Sequence, residues 1–263
     1  MPLLYTLCSS SSGNSTFIGN EKNGILVDVG ISYRNLKAQM GLINIPITAI
    51  KAVFITHEHT DHINGLHTFT KMNDVPVFSS IGTLESILEK NAVVSHTKLF
   101  EINKQKPIIG DMEIEAFPTS HDSAESIGIK VNFTNGKTAG VCTDLGYVSP
   151  QVKNSLTKCN LVMLESNYDK NMLETGPYPY ILKKRIASKT GHLSNNDCSE
   201  ELVRLFKEGT YNFILAHLSA ENNKPETALE NAVTSFKSHG ANYDDDYKIT
   251  IAPKMGIGRV IQI

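Results

Sequence analysis

No apolar run in this 263-residue chain approaches the roughly 20 residues needed to cross a bilayer, which excludes a membrane-spanning helix. Cysteine is scarce. Cys8, Cys142, Cys159 and Cys198 stand without CxxC spacing, which excludes a disulfide scaffold and a thiolate metal cluster and fits a reducing compartment. Positive charge is not in excess either: the formal net charge is −2, so a broad basic coat for nucleic acid is ruled out, although a local patch can still hold a phosphate backbone. Low-complexity blocks, fixed-period repeats and Pro/Gly/Ser linkers are also missing, so one domain spanning residues 1–263 is expected. The opening Met1-Pro2-Leu3-Leu4-Tyr5-Thr6-Leu7-Cys8 lacks a basic flank and reads as a first strand, not a signal peptide, and a cytoplasmic location follows as the expectation.

Short apolar runs bounded by turn residues predict strands at Leu3–Leu7, Ile25–Val29, Ala52–Thr56, Val75–Ser79, Met112–Phe117, Ile127–Phe133, Thr138–Thr143 and Leu161–Leu164. Tyr247–Ala252 and Gly258–Ile263 read as closing strands. Asn135-Gly136 predicts a hairpin, because both residue types tolerate positive φ. Helical periodicity marks Tyr33–Leu42, Ile63–Met72, Leu84–Lys90, Tyr180–Ala187, Cys198–Lys207 and Thr227–Lys237. Ser194 or Asn195 is expected to cap the fifth helix and Pro225 to open the sixth. Many strands with interspersed helices predict an α+β fold in which two mixed sheets pack face to face with helices outside.

The most informative stretch is Ala52-Val53-Phe54-Ile55-Thr56 followed at once by His57-Glu58-His59-Thr60-Asp61-His62. A loop at a strand end can aim imidazoles and a carboxylate into one cavity, and that donor set suits Zn, Mn or Fe. A solvated His-rich loop would have no reason to follow an apolar strand so closely. His121, Asp144 and His217 also end apolar runs. Taken singly, each could be a turn or capping residue; the shared context favours ligands. His67, His96, His239 and the run Asp244-Asp245-Asp246 have bland explanations and are given no site role.

In the order Asp28, HxHxDH, His121, Asp144, His217, the chain resembles the metallo-β-lactamase superfamily over essentially its whole length. The resemblance implies an αββα sandwich with two divalent metal ions. One would sit on His57, His59 and His121, the other on Asp61, His62 and His217, with Asp144 bridging. Asp28 would orient the loop without touching metal. Two cations sharing a water lower its pKa and supply a metal-bridged hydroxide, so hydrolysis is the expected chemistry. The redox branch of the superfamily carries glutamate in place of the motif's second histidine. His59 here counts against that chemistry.

Leu164-Glu165-Ser166-Asn167 follows another predicted strand, and the segments Gly191-His192-Leu193-Ser194-Asn195 and Ala216-His217-Leu218-Ser219 share His-Leu-Ser. Superfamily nucleases carry a similar glutamate and extra histidine. By that resemblance His192 acts at the scissile phosphate, as acid or as stabiliser of its charge, and Glu165 holds it protonated. Taken alone, Glu165 could be a surface turn carboxylate and His192 a residue leading into a helix. Only 47 residues separate Asp144 from His192, too few for a β-CASP insert. With Ser9-Ser10-Ser11-Ser12-Gly13-Asn14-Ser15 at the start, the pattern is similar to the WalJ (YycJ) family of compact bacterial nucleases. That similarity implies 5′-to-3′ exonuclease action on DNA and a link to DNA repair. Ser11, Ser12 and Asn14 could meet a phosphate, or form a plain hairpin turn. Lys183, Lys184 and Arg185, beside Tyr178 and Tyr180, could contact nucleic acid, or belong to a solvated amphipathic helix that buries Ile181, Leu182 and Ile186. The competing reading is a small-molecule hydrolase of the same fold, such as a thioesterase, lactonase or glyoxalase II-like enzyme. Metal identity and oligomeric state are not legible from the residues.

Overall fold

A computed structural model of the chain describes residues 2–102, 106–255 and 259–263. Met1 and Gly258, the expected first residues of the opening and closing segments, lie outside the described residues. The chain first lays down β1 (Leu3–Ser10), β2 (Gly13–Gly19), β3 (Gly24–Val27), β4 (Ile50–Phe54), β5 (Val77–Ser79) and β6 (Leu99–Glu101). It then builds a second sheet from β7 (Ile108–Ile109), β8 (Met112–Pro118), β9 (Ile127–Phe133), β10 (Thr138–Cys142), β11 (Leu161–Glu165), β12 (Asn212–Ala216) and β13 (Lys248–Ile251). Finally β14 (Val260–Gln262) returns to pair with β1 at the edge of the first sheet. Among the described residues each sheet has seven strands. Both are mixed, antiparallel on one side and parallel on the other.

The helices are α1 (Tyr33–Leu42), α2 (Thr60–Ile63), α3 (Leu66–Met72), α4 (Ile81–Glu89), α5 (Pro150–Leu156), α6 (Lys170–Thr175), α7 (Tyr180–Ile186), α8 (Asn195–Lys207) and α9 (Pro225–Ser238). Leu4, Ile25, Phe54, Ile129, Val141 and Met163 belong to one core between the sheets. Leu36 of α1, Phe69 of α3 and Ile87 of α4 cover the outer face of the first sheet. Val152 of α5, Leu202 of α8 and Phe236 of α9 cover the outer face of the second. Strands sealed on both faces explain why the runs read as continuously apolar and not alternating.

Phe236 is fully buried and stacks on Tyr247, with ring centroids 3.8 Å apart, while Phe206 and Phe213 close around it. Phe236→Ala is expected to lower the unfolding free energy by about 3–5 kcal/mol in a denaturant titration, since it opens a cavity that α9 cannot collapse into. A loss under about 1 kcal/mol would mean that α9 contributes little to the second layer.

Several expectations shift. The single helix over Ile63–Met72 is two, α2 and α3, because Gly65 N–H donates to Val29 O at 2.8 Å and pins the break to the loop after β3. Of Asn135 and Gly136 only Gly136 takes positive φ, 82°, and Asn135 instead accepts from Lys137 N–H. Ser194 caps α8, and Pro225 opens α9. Strands β2, β6 and β7 and helices α5 and α6 were not expected. Helix α7 fully buries no residue: Leu182 and Ile186 are half-buried, but Ile181 is 83% exposed, so the amphipathic reading fails at that residue.

Candidate metal centre

The parallel registers decide where the site lies. Cys142 pairs with Leu164 and Glu165 with Ala216, so β10, β11 and β12 end side by side and deliver Asp144, Glu165 and His217 to one rim. Val27 pairs with Phe54 in the first sheet, which sets Asp28 next to Thr56 and His57. Carboxyl ends of parallel strands are where open sheets bind ligands. Asp28, Asp144 and His217 all adopt left-handed backbone, with φ of 61°, 58° and 55°. Each such residue costs of order 1–3 kcal/mol and persists only where its surroundings enforce it. Gly30 is needed for contact: a Cβ there would lie 1.7 Å from Asp61 O and 2.5 Å from Asn14 N.

Asp28 braces the loop. Its Oδ1 accepts from Thr56 N–H and its Oδ2 from Thr56 Oγ1, both at 2.8 Å, and Oδ2 lies 2.7 Å from His62 Nδ1. That leaves His62 Nε2 facing inward, 3.5 Å from Asp61 Oδ2 and 3.3 Å from Asp144 Oδ2. His121 Nδ1 donates to Gly191 O at 3.0 Å, which frees its Nε2, 3.3 Å from His59 Nδ1 and 3.9 Å from Asp144 Oδ1. His217 Nε2 is 3.6 Å from Asp61 Oδ2. Among the described residues four compact donor sets result, the donor atoms of each lying within 4.8 Å of one another: His57, His59 and His121; Asp61, His62 and His217; His57, His62 and Asp144; and Asp144, Glu165, His192 and His217. The first two share no residue. Asp144 sits between them.

The electrostatics match a cation site. His57 Nε2, His217 Nε2 and Asp144 Oδ2 are buried without a hydrogen-bond partner, a costly state unless a cation completes them. Burial, reinforced by the neighbouring His62, lowers the His57 imidazole well below the ordinary histidine range; burial and His121 lower that of His59. Both shifts favour the neutral ring, the form in which a ring nitrogen can meet a cation. Burial works against charge on His62 too, but Asp28 and Asp144 outweigh it and raise that ring well above the ordinary histidine value. The donor set therefore fits divalent cations.

Glu165 is fully buried, not a surface turn carboxylate. Its Oε2 accepts from Leu145 N–H at 2.9 Å and Leu193 N–H at 3.1 Å, and its Oε1 lies 2.8 Å from His192 Nδ1 and 2.7 Å from His217 Nδ1. Burial raises the Glu165 carboxyl, yet His192 and His217 bring it below the usual glutamate value. His192 in turn is raised in spite of burial, because Glu165 and then Asp144 favour its charged form. A cavity of about 180 Å³ opens beside His192 and His217 and is lined by Ser11, Asn167, Tyr178 and Arg185 among others.

The remaining sequence candidates are placed unevenly. Ser11 and Ser12 are exposed at the β1–β2 turn, whereas Asn14 is buried and points inward, its Nδ2 3.2 Å from Asp61 Oδ2 and 3.0 Å from His62 Nε2. Arg185 Nε donates to Asp122 Oδ2 at 2.6 Å, Lys183 Nζ to Glu174 O at 2.7 Å, and Lys184 Nζ stands 4.7 Å from the Tyr180 ring centroid. Sequence reasoning missed Thr56, Asp122, Asn167, Asn195 and Asn223. Asn167 Nδ2 donates to His217 O at 2.8 Å, and the amides of Asn195 and Asn223 exchange hydrogen bonds at 3.0 and 2.8 Å. The repeated His-Leu-Ser, with an asparagine following in each copy, was the available signal: both copies hang on Glu165 and are tied together by this pair.

This fold, with a His/Asp cluster able to bind metal ions at the strand ends, defines a metal-dependent hydrolase of the metallo-β-lactamase fold. The family model described as beta-lactamase superfamily domain matches residues 23–217. Exodeoxyribonuclease YycJ of Bacillus anthracis is 33% identical over 252 residues, 95% of each chain. Exodeoxyribonuclease WalJ of Streptococcus pneumoniae is 32% identical over 247 residues, 92% of this chain and 91% of that one. The chain belongs to the YycJ/WalJ family of the β-lactamase superfamily. The metallo-β-lactamase-fold protein YhfI of Bacillus subtilis superposes with a TM-score of 0.74 over 99% of both chains at 16% identity, a likeness of fold. Among the described residues no helix is long and apolar enough to cross a membrane.

Proposed function

We propose that the chain, as a single domain, is a dinuclear metal-dependent 5′-to-3′ exonuclease acting on DNA. His57, His59 and His121 hold one divalent cation, Asp61, His62 and His217 the other, and Asp144 reaches both; the orphaned ring nitrogens and carboxylate oxygen support this assignment. Zn, Mn and Fe all suit these donors. When bound, the cations supply water activation and compensate charge developing at phosphorus.

The observation that carries the nuclease reading is the His192–Glu165 pair beside the cation donors. A protonated His192, with Nδ1 held by Glu165, has Nε2 left to give its proton to the departing 3′ oxygen. Ester or thioester cleavage would not call for such an acid beside the cation donors. DNA as substrate draws support from the names of the YycJ and WalJ relatives and from the motif resemblance; the 5′ polarity and a part in DNA repair draw on the resemblance alone. The four cysteines are free and buried, which suits the reducing cytoplasm.

The test is an assay on 5′- and 3′-end-labelled DNA and on RNA with Mn or Zn. Wild type is expected to release mononucleotides from the 5′ end, and Asp61→Ala to show none. Shortening from the 3′ end would overturn the polarity; turnover of a lactone or thioester with no nucleic acid cut would overturn the nuclease reading while leaving the metal centre standing.

A further inference from the structure

Helix α7 separates two concave surfaces. Its Leu182, Arg185 and Ile186 line the cavity that holds His192, while Tyr180, Lys183 and Lys184 line a wider groove of about 600 Å³ on the other side, completed by Tyr168 and Lys170. Apolar residues of a short helix normally face a core. Here Tyr180 and Ile181 stand 70% and 83% exposed at its first turn. The helix is nonetheless fixed to the site. Ile186 O accepts from His192 N–H at 2.8 Å, Arg185 is tied to Asp122, and Gly191 packs so close that a Cβ would lie 2.2 Å from Arg185 O and Ile186 O. Lys183 and Lys184 are paired with no carboxylate among the described residues, and Lys170 is 3.4 Å from Asp197 with both half-exposed, a contact worth little. The groove thus sets three lysines against two carboxylates, Glu174 and Asp197, beside the exposed Tyr180 ring, in a chain whose net charge is −2.

We propose that α7 is a strand separator: a DNA duplex end parts on Ile181 and Tyr180, the cleaved strand enters the His192 cavity, and its complement runs along the outer groove. The proposal rests on the nuclease reading and specifies its substrate as a paired end. The inner cavity, about 180 Å³ against about 600 Å³ for the outer groove, is the narrower of the two, so the reacting end of one strand is placed there and the complement in the groove. Apolar side chains pushed into a base step unstack it. Lysines meet the phosphates of the deflected strand and a tyrosine stacks on its bases, a mixture that holds single strands without regard to sequence.

The experiment compares cleavage of a blunt duplex, the same duplex with a short unpaired fork at the cleaved end, and the single strand, for wild type, Ile181→Asp and Tyr180→Ala. Both side chains are exposed, and unchanged thermal melting verifies that the variants fold. The duplex-to-single-strand rate ratio is expected to fall by about tenfold or more in Ile181→Asp, and the fork to restore it, because separation is then already done. A ratio equal to that of wild type, or a duplex loss that the fork leaves in place, overturns the separator while the nuclease reading stands. If wild type cuts no nucleic acid, both fall together.

Discussion

Replacing His192 by alanine is expected to slow phosphodiester cleavage by about 10²–10⁴-fold, the range that one positioned proton donor contributes. The residue is placed for this and little else. Its Nδ1 is committed to Glu165 at 2.8 Å, its side chain is partly open to the cavity, and among the described residues its Nε2 has no hydrogen bond. Removing the ring takes away no proposed cation donor, so cation content measured by atomic emission should equal that of wild type. Glu165→Gln should be damaging for a second reason. Glu165 also orients His217, so the amide would lose the charge that keeps His192 protonated and weaken the hold on the His217 ring. The two variants are therefore distinguishable: His192→Ala retains its cations and loses rate, whereas Glu165→Gln loses rate and some cation affinity. Full activity in His192→Ala would remove the acid from the mechanism and return the site to the broader class of ester hydrolases.

The HxHxDH run was legible because so dense a group of imidazoles and carboxylate, on a loop at a strand end, has no folding requirement to explain it. The apolar strands were legible because both sheets are covered on both faces. What escaped the sequence lies where folding rules yield to the site. β2 carries Asn14, Ser15 and Thr16, a composition that reads as a turn, yet all three are buried; Ser15 Oγ donates to Asp28 O at 2.9 Å and Asn14 reaches Asp61 and His62. Polar side chains here are interior because the rim of the sheet is the site's floor. The exposed Ile181 failed the expectation in the opposite sense, since an apolar residue on a helix is assigned to a core by default. Glu165 was placed near the chemistry by its strand, but its double hold on His192 and His217 depends on the parallel register of β11 and β12, which only the fold supplies.

Stripping the cations is expected to abolish turnover, and readdition of Mn or Zn to restore it; Asp144→Asn should resist that rescue. Asp144 is 2% exposed and held in left-handed backbone, and its oxygens lie 3.3 Å from His62 Nε2 and 3.9 Å from His121 Nε2, between both donor sets. An amide there offers a weaker oxygen and no charge, so neither set is completed as before. If the cations supply several kcal/mol of transition-state stabilisation, at about 1.4 kcal/mol per tenfold, the variant falls by roughly 10³-fold or more. Stability gives an independent reading of the same event. A cation at about 1,000 times its dissociation constant adds about 4 kcal/mol to a fold that binds it only when native, so wild type should melt higher as Mn or Zn is added and Asp144→Asn should shift far less. Turnover that survives exhaustive chelation with no cation detected would overturn the metal centre itself, and with it every role assigned to the HxHxDH loop.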